Sequence, residues 1–416
     1  MKALLKIAGS VAVMLVLFGF GYAWRDIQRG HLPSMDTVKA GFGSTNARAD
    51  VSPVQLFRET YSRILTDYRK TVDPTDLKYA GMEGLMASLG DPHTLFMEPR
   101  QAEQFALETT ANFVGIGARL SPDPLGAKVV VIFEDSPAQH SGLKIGDIVS
   151  AVDGVKVSGK DIDSIVGKIR GKPGTQVRIT VLRSGSPKPI DLRAIRAKII
   201  TPTVESAMIP GTSMGRVSIA TFSEPTADQF DRAVAKLEKQ GMKGLVIDLR
   251  GNPGGLLETA VEMLSRFVED KVVVKMKGRG DREEIARTYV GLNRKWRYPI
   301  AVLINEESAS ASEIFAGCVR AYRLGTLVGE HSYGKASVQN VRMLVGGASA
   351  KITIARYYLP GGEDIGRKVD EDGQYIEGGL KPDVEAKWDP DRAGIFGDIK
   401  TDPQLQKAVA VLKSKS

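Results

Sequence analysis

The chain has little of what disulfide and metal chemistry require. One cysteine, Cys318, occurs in 416 residues, which excludes internal disulfides and any cysteine-rich metal site. Four histidines (His31, His93, His140, His331) are scattered with no pair at metal-ligand spacing, so no metal or organic cofactor is expected. Blocks of like charge are missing as well. Fifty-seven basic and 49 acidic residues leave a net charge of +8, spread along the chain, whereas a nucleic-acid footprint needs clustering. No nucleic-acid partner is expected. An apolar share of 42% and a charged share of 25% exclude disorder, collagen and a multi-span membrane protein. At about 150 residues per domain the length implies two or three domains.

One long apolar run is present. Residues 7–24 carry no charge and follow Lys2 and Lys6. At about 1.5 Å per residue they would form a helix of roughly 27 Å, enough to span a hydrocarbon core. Tyr22 and Trp24 stand where an interfacial belt would lie, and the lysines favour an N-terminus held inside. The rival reading is a cleaved signal peptide, but the A-x-A site Ala47-Arg48-Ala49 lies far beyond the run. An uncleaved anchor is expected, with residue 25 onward exported to the periplasmic or extracytoplasmic side of the cell envelope. Residues 25–50 mix Gly, Ser, Asn and charge without periodicity and read as a tether.

Three textures follow. Residues 51–106 are helical in pattern, with a second short helix expected over 81–89 before Asp91-Pro92-His93. Residues 107–197 read as strands around one clear helix. Val129 to Phe133 is apolar throughout, Ile162, Ile165, Val166 and Ile169 follow helical spacing, and Val177, Ile179 and Val181 alternate as a strand. Residues 198–388 alternate strand and helix: a strand over 216–222, a helix opened by a Thr226/Gln229 capping box, and buried strands over 244–249 and 300–304. Such alternation makes an α/β domain whose strand ends carry functional loops. Residues 389–416 form a C-terminal tail region.

The richest loop runs Asn305-Glu306-Glu307-Ser308-Ala309-Ser310-Ala311-Ser312-Glu313-Ile314. A serine between a strand end and a helix start can expose its hydroxyl beside backbone N–H groups able to hold an oxyanion. Helix capping would explain one of these serines, not three at every second position. A serine also needs a base. His331 could serve, and so could Lys335, since burial lowers an amine's ordinary pKa of about 10.4; Gln339 could then hold the neutral amine. Other matches are discounted. Gly211-Thr212-Ser213-Met214-Gly215 fits G-x-S-x-G without a strand leading in or a helix following. Two S-x-x-K matches, Ser141 to Lys144 and Ser332 to Lys335, each contain a glycine. Gly329 to Lys335 is nearly a P-loop, but Ala336 replaces the hydroxyl residue and an extended run follows. Asp370-Glu371-Asp372-Gly373 is read as a turn between strands, and Cys318 as core.

Taken together the blocks resemble the carboxyl-terminal processing peptidase family, the tail-specific serine proteases. Val114-Gly115-Ile116-Gly117, Ser136-Pro137-Ala138, Gly142 to Asp147 and Gly171-Lys172-Pro173-Gly174 resemble a protease-type PDZ domain. Asp248-Leu249-Arg250-Gly251-Asn252-Pro253-Gly254-Gly255, the block ending at Ile314, and Gly334-Lys335-Ala336-Ser337-Val338-Gln339 resemble the family's core blocks, in its order. The likeness covers about residues 55 to 388 and implies an α/β serine-protease core with an inserted α+β PDZ domain. It further implies a Ser310–Lys335 dyad with Gln339 holding the lysine, and an oxyanion hole of the Ala311 and Gly254 amides. Ala336 stands where the family has glycine; were that position left-handed, alanine would strain the loop.

A PDZ groove adds an extended peptide as a strand and captures its carboxylate in backbone N–H groups, here those of residues Val114, Gly115, Ile116 and Gly117. An apolar groove selects apolar tails. The expected function is therefore endoproteolysis of exported proteins near their C-termini, on unfolded or C-terminally exposed substrates. The alternatives are a non-catalytic PDZ adaptor and, further behind, a nucleotide-binding protein using Gly329 to Lys335. Residues 53–105 and 401–416 are candidate surfaces for a homo-oligomer or an activating partner. Arg170 is a candidate tie between PDZ module and core, with a solvated surface arginine the plainer expectation.

Overall fold

The computed structural model describes residues 52–370, 374–388 and 396–415. The expected anchor, the tether and the Glu371-Asp372-Gly373 turn lie outside them. Among the described residues no helix is long and apolar enough to cross a membrane. Two compact units divide after Gly81. Before that point lies the helix Pro53–Asp67, with proline in its first turn, and the Tyr61 hydroxyl donates to Pro74 O at 2.7 Å. The second helix begins earlier than its apolar pattern suggests, at Pro74–Ala87. Asp73 takes the Thr75 and Asp76 amides on its carboxylate, and a proline at the helix start loses no needed donor.

The larger unit is built on a six-stranded sheet in the order Val204–Met208, Met214–Ile219, Gly244–Asp248, Ile300–Ile304, Thr326–Gly329, Val384–Glu385. Its first pair is antiparallel and the rest are parallel. Parallel strands need crossovers and covered faces. Helices Thr226–Lys239, Leu257–Leu264 and Ala311–Ala321 cover one face over a core that includes Phe222, Phe230 and Phe315; each fully buried aromatic contributes about 1.5–3 kcal/mol. The C-terminal helix Pro403–Lys415 covers the other face with Leu405, Ala408, Val409 and Leu412. Cys318 is buried in the first of these cores.

One local expectation is corrected. Thr226 is the first residue of its helix, not its cap. Its Oγ1 accepts from the Ser223 amide, and Gln229 reaches sideways to the amides of Thr203 and Val204. The neighbouring strand's unpaired donors outcompete the helix's own cap.

The chain enters and leaves the middle module through two strands, Asn112–Gly115 and Ala197–Ile200, that pair antiparallel. Within it lie an antiparallel sheet of six strands and the helix Ile162–Ile169, capped by Asp161 and buried through Ile165 and Ile169. Arg170 lies over the Phe113 ring at 5.5 Å, with its Nε buried and unpartnered. A second sheet, antiparallel, carries Ser349–Tyr358 at its centre, flanked by Ser337–Met343 on one side and by Leu95–Met97 and Val272–Gly278 on the other.

Candidate active site

Three loops leave the C-terminal ends of three adjacent parallel strands. Residues 249–256 follow Gly244–Asp248, residues 305–310 follow Ile300–Ile304, and residues 330–336 follow Thr326–Gly329. This is where open α/β sheets bind ligands. Residues from all three blocks, Gly254, Ser310, Ala311, Lys335 and Gln339, line one cavity of about 600 Å³.

The fold sorts the three serines. Ser308 is buried and its hydroxyl donates to Leu249 O at 2.8 Å. Ser312 is buried and donates to Asn252 O at 3.0 Å. Both staple the serine-bearing loop to the glycine-rich loop, and of the three only Ser310 lines the cavity. Its backbone is strained, at φ 55° and ψ −116°, outside the regions an L-residue ordinarily occupies. Such strain costs about 1–3 kcal/mol and persists only where the surroundings enforce it. Gly254 is part of that enforcement. At φ 103° it packs so closely that a Cβ there would lie 2.8 Å from the Ser310 Cβ and 2.9 Å from the Ala311 amide nitrogen.

Glu313, unnoticed as a functional residue from sequence, is the hub. Fully buried, its Oε2 accepts from Ser310 N at 2.8 Å and Lys335 N at 2.9 Å. Its Oε1 accepts from Ser332 Oγ at 2.5 Å and Gly334 N at 2.6 Å. One carboxylate thus fixes the serine turn against the lysine loop. Burial pushes this carboxyl above its usual range, against the pull of the four donors. The S-x-x-E spacing from Ser310 to Glu313 was a signal that could have revealed it.

Lys335 is half-buried in the cavity wall. Burial, and then the Lys351 ammonium, push its amine below the ordinary lysine range, against the charges of Glu313 and Asp91. Tyr357, fully buried, donates to Lys335 O at 2.5 Å. The left-handed backbone of this loop falls on Gly334, at φ 89°, where a Cβ would meet backbone at 2.9 Å. Ala336 is not among the positive-φ residues, so the anticipated strain is absent there and its methyl is simply buried. Gln339 donates to Ser337 Oγ at 2.8 Å and Thr353 Oγ1 at 3.3 Å, so its amide nitrogen braces neighbours of the lysine. His331 is exposed and does not line the cavity.

The Ala311 amide opens its helix and has no carbonyl one turn back to bond. The Gly254 amide donates to Asn252 Oδ1 at 2.9 Å; an incoming oxyanion would have to share that donor. Asn252, buried, also donates to Ile219 O at 2.8 Å, and Asn305 Oδ1 accepts from the Gly251 amide at 3.0 Å. In the middle module, Val114 and Gly115 belong to the entry strand. Ile116 is core, and its carbonyl accepts from Ala138 N at 2.7 Å. Gly117 has φ 81° and leaves no room for a Cβ beside Ser136.

Comparison with known proteins agrees with this architecture. The family model of peptidase family S41 matches residues 213–386, and a PDZ domain model matches residues 128–183. The carboxy-terminal processing protease CtpB of Bacillus subtilis (strain 168) is 34% identical over 370 residues, covering 87% of this chain and 76% of that protein. CtpA of the same organism is 34% identical over 354 residues, covering 85% and 73%. Among solved structures, a photosystem II D1 C-terminal processing protease is 26% identical, with 94% of this chain and 96% of that chain covered and a TM-score of 0.45. With its serine at a strand-to-helix turn and a PDZ module inserted ahead of the parallel sheet, this chain belongs to peptidase family S41, as a serine-type peptidase of the carboxy-terminal processing kind.

Proposed function

We propose that this protein is a Ser–Lys endopeptidase that cuts exported proteins near their C-termini, selecting apolar tails through its PDZ domain. The observation that carries the reading is the convergence of Ser310 and a half-buried, destabilised Lys335 cation in one cavity. A neutral amine there takes the Ser310 proton as Oγ attacks the scissile carbonyl carbon. The tetrahedral oxyanion is held by the Ala311 and Gly254 amides. The protonated lysine then donates to the departing amine nitrogen, and the C–N bond breaks. Water, deprotonated by Lys335, hydrolyses the ester and restores Ser310. Gln339 keeps the strand beside the base in place. Residues 114–117 bind the tail's carboxylate, and the apolar run at 7–24 holds the enzyme at the envelope membrane. The domain bounds that go with this reading are 107–197 for the PDZ module and 198–388 for the core. An activating partner or a second copy would engage residues 53–105 or 401–416.

The test compares the full chain with Ser310→Ala and Lys335→Ala on an unfolded protein ending in apolar residues. Binding of a fluorescent tail peptide is followed in parallel. Both variants should lose cleavage and keep tail binding. Equal cleavage by all three proteins would discard the dyad, and a silent wild type that still binds tails would favour the adaptor.

A further inference from the structure

The strand Ser349–Tyr358 turns Lys351, Thr353, Ala355 and Tyr357 inward, while its alternate residues face out. On one side Gln339 stands directly opposite Thr353. On the other side the pairing is interrupted: Leu95–Met97 covers residues 349–351 and Val272–Gly278 covers 355–358. The turn at residues 91–94 fills the gap. Thr94 Oγ1 accepts from Thr353 N at 3.0 Å and donates to Asp91 Oδ2 at 2.7 Å. Asp91 Oδ1 accepts from His93 N at 3.0 Å, so the Asp91 carboxylate braces the turn that meets Thr353. Gln339 Nε2 donates to Thr353 Oγ1, Thr353 N to Thr94 Oγ1 and Thr94 Oγ1 to Asp91, so the row runs from Gln339 through Thr353 and Thr94 to Asp91. A carboxylate must end such a row, because only the ionised form accepts at every site.

We propose that Asp91 is a positioning residue for the reaction: through Thr94 and Thr353 it sets the strand bearing Gln339 beside the base loop, and its charge acts on Lys335 in the sense opposite to that of Lys351. This rests on the assignment of Lys335 as base. The surrounding groups support it. Burial pushes Asp91 up, but the bonds from Thr353, Thr94 and the His93 amide prevail and hold it below the usual carboxylate range. His93 is kept below its ordinary value by burial and by Lys335 and Lys351, against the pull of Asp91, so it stays neutral at physiological pH. Lys351, lowered by burial, lies over the Phe105 ring. The Glu313 carboxylate accepts from the Lys335 amide, and burial pushes the Tyr357 hydroxyl well above its ordinary value.

The experiment is the pH profile of kcat/KM for the full chain and its Asp91→Asn, Lys351→Met, Thr353→Val, Thr353→Ser and Lys335→Ala variants. Because the neutral amine is the active form, kcat/KM climbs with pH through the titration of Lys335. Removing the Asp91 charge makes the amine release its proton more easily, so the climbing limb should move to lower pH. Lys351→Met should move it to higher pH. Thr353→Val breaks the row and should lower kcat roughly ten- to a hundredfold with KM unchanged, and Thr353→Ser should restore it. Limbs that coincide with the wild type, or that both move the same way, would overturn the proposal. If Asp91→Asn fails to fold, an unmoved limb in Lys351→Met together with an unchanged kcat in Thr353→Val would do so. Wild-type activity in Lys335→Ala would instead remove the base assignment itself. A dead Lys335→Ala beside unmoved limbs would sink this inference alone.

Discussion

Glu313→Gln is a severe test of the site's construction, because the replacement keeps shape and changes only one oxygen. The native carboxylate gives each oxygen two donors: Ser310 N and Lys335 N on one, Ser332 Oγ and Gly334 N on the other. Glutamine offers a single oxygen, so its NH2 must face two donors and no acceptor. Placing the NH2 toward Ser332 and Gly334 is the cheaper choice, since a hydroxyl can rotate. That rotation would, however, disturb Ser332 Oγ where it accepts from the Leu380 amide at 2.6 Å. At about 1–3 kcal/mol for each buried donor left unmet, two lost bonds cost about 2–6 kcal/mol. At about 2–4 °C per kcal/mol the thermal midpoint should fall by roughly 4–24 °C. The same bonds hold Ser310 in its strained conformation and place the start of the lysine loop. Cleavage by the folded fraction should therefore drop about a hundredfold or more, as for a misplaced reacting group. Circular dichroism against temperature, with initial cleavage rates well below the midpoint, reads both. A midpoint within a degree of wild type would refute the bonding argument. A lowered midpoint with unchanged rate would show that Glu313 stabilises the site without positioning it.

Three more outcomes follow from buried features. Arg250, 1% exposed, is clamped between Asp248 and Asp402, with contacts of 2.8 and 2.7 Å, so Asp402→Ala should cost about 3–5 kcal/mol by leaving a buried cation half-paired. Burial pushes Asp248 up, but Arg250 and Arg216 prevail and hold it below the usual range. Its contribution is therefore complete at neutral pH and lost only as pH falls below about 4, the ordinary carboxylate value. Urea midpoints measured from pH 7 downward should steepen in that window, and a flat profile there would contradict the pairing. Ala336→Gly should destabilise by about 0.4–1 kcal/mol through unfolded-state entropy and leave cleavage unimproved. A gain in stability would mean that alanine is strained in this loop after all.

Much of the architecture was written locally. The spacing of Ile162, Ile165, Val166 and Ile169 makes one face of a helix whatever surrounds it, and Ile300–Ile304 is buried throughout as an apolar run between covered faces must be. The order of strand, glycine-rich loop and helix placed the candidate site at strand ends, and the block Asn305 to Ile314 carried the serine that faces the cavity. The Thr226/Gln229 spacing makes no capping box because Gln229 is taken by the amides of Thr203 and Val204, at the start of a strand distant in sequence.

What the sequence determined by itself was composition, periodicity and the residue types of each loop, since these depend on neighbours a few positions away. Only the tertiary structure decided which of three evenly spaced serines turns toward the cavity. Ser308 and Ser312 are claimed by carbonyls of a loop some 60 residues distant. It also decided that Glu313 joins two loops, and that Asp91 meets Thr353 through a turn whose Thr94 accepts its amide across 259 residues. Those pairings obey no local period. They exist because adjacent parallel strands bring their C-terminal ends together, where buried donors must find acceptors wherever along the chain these arise.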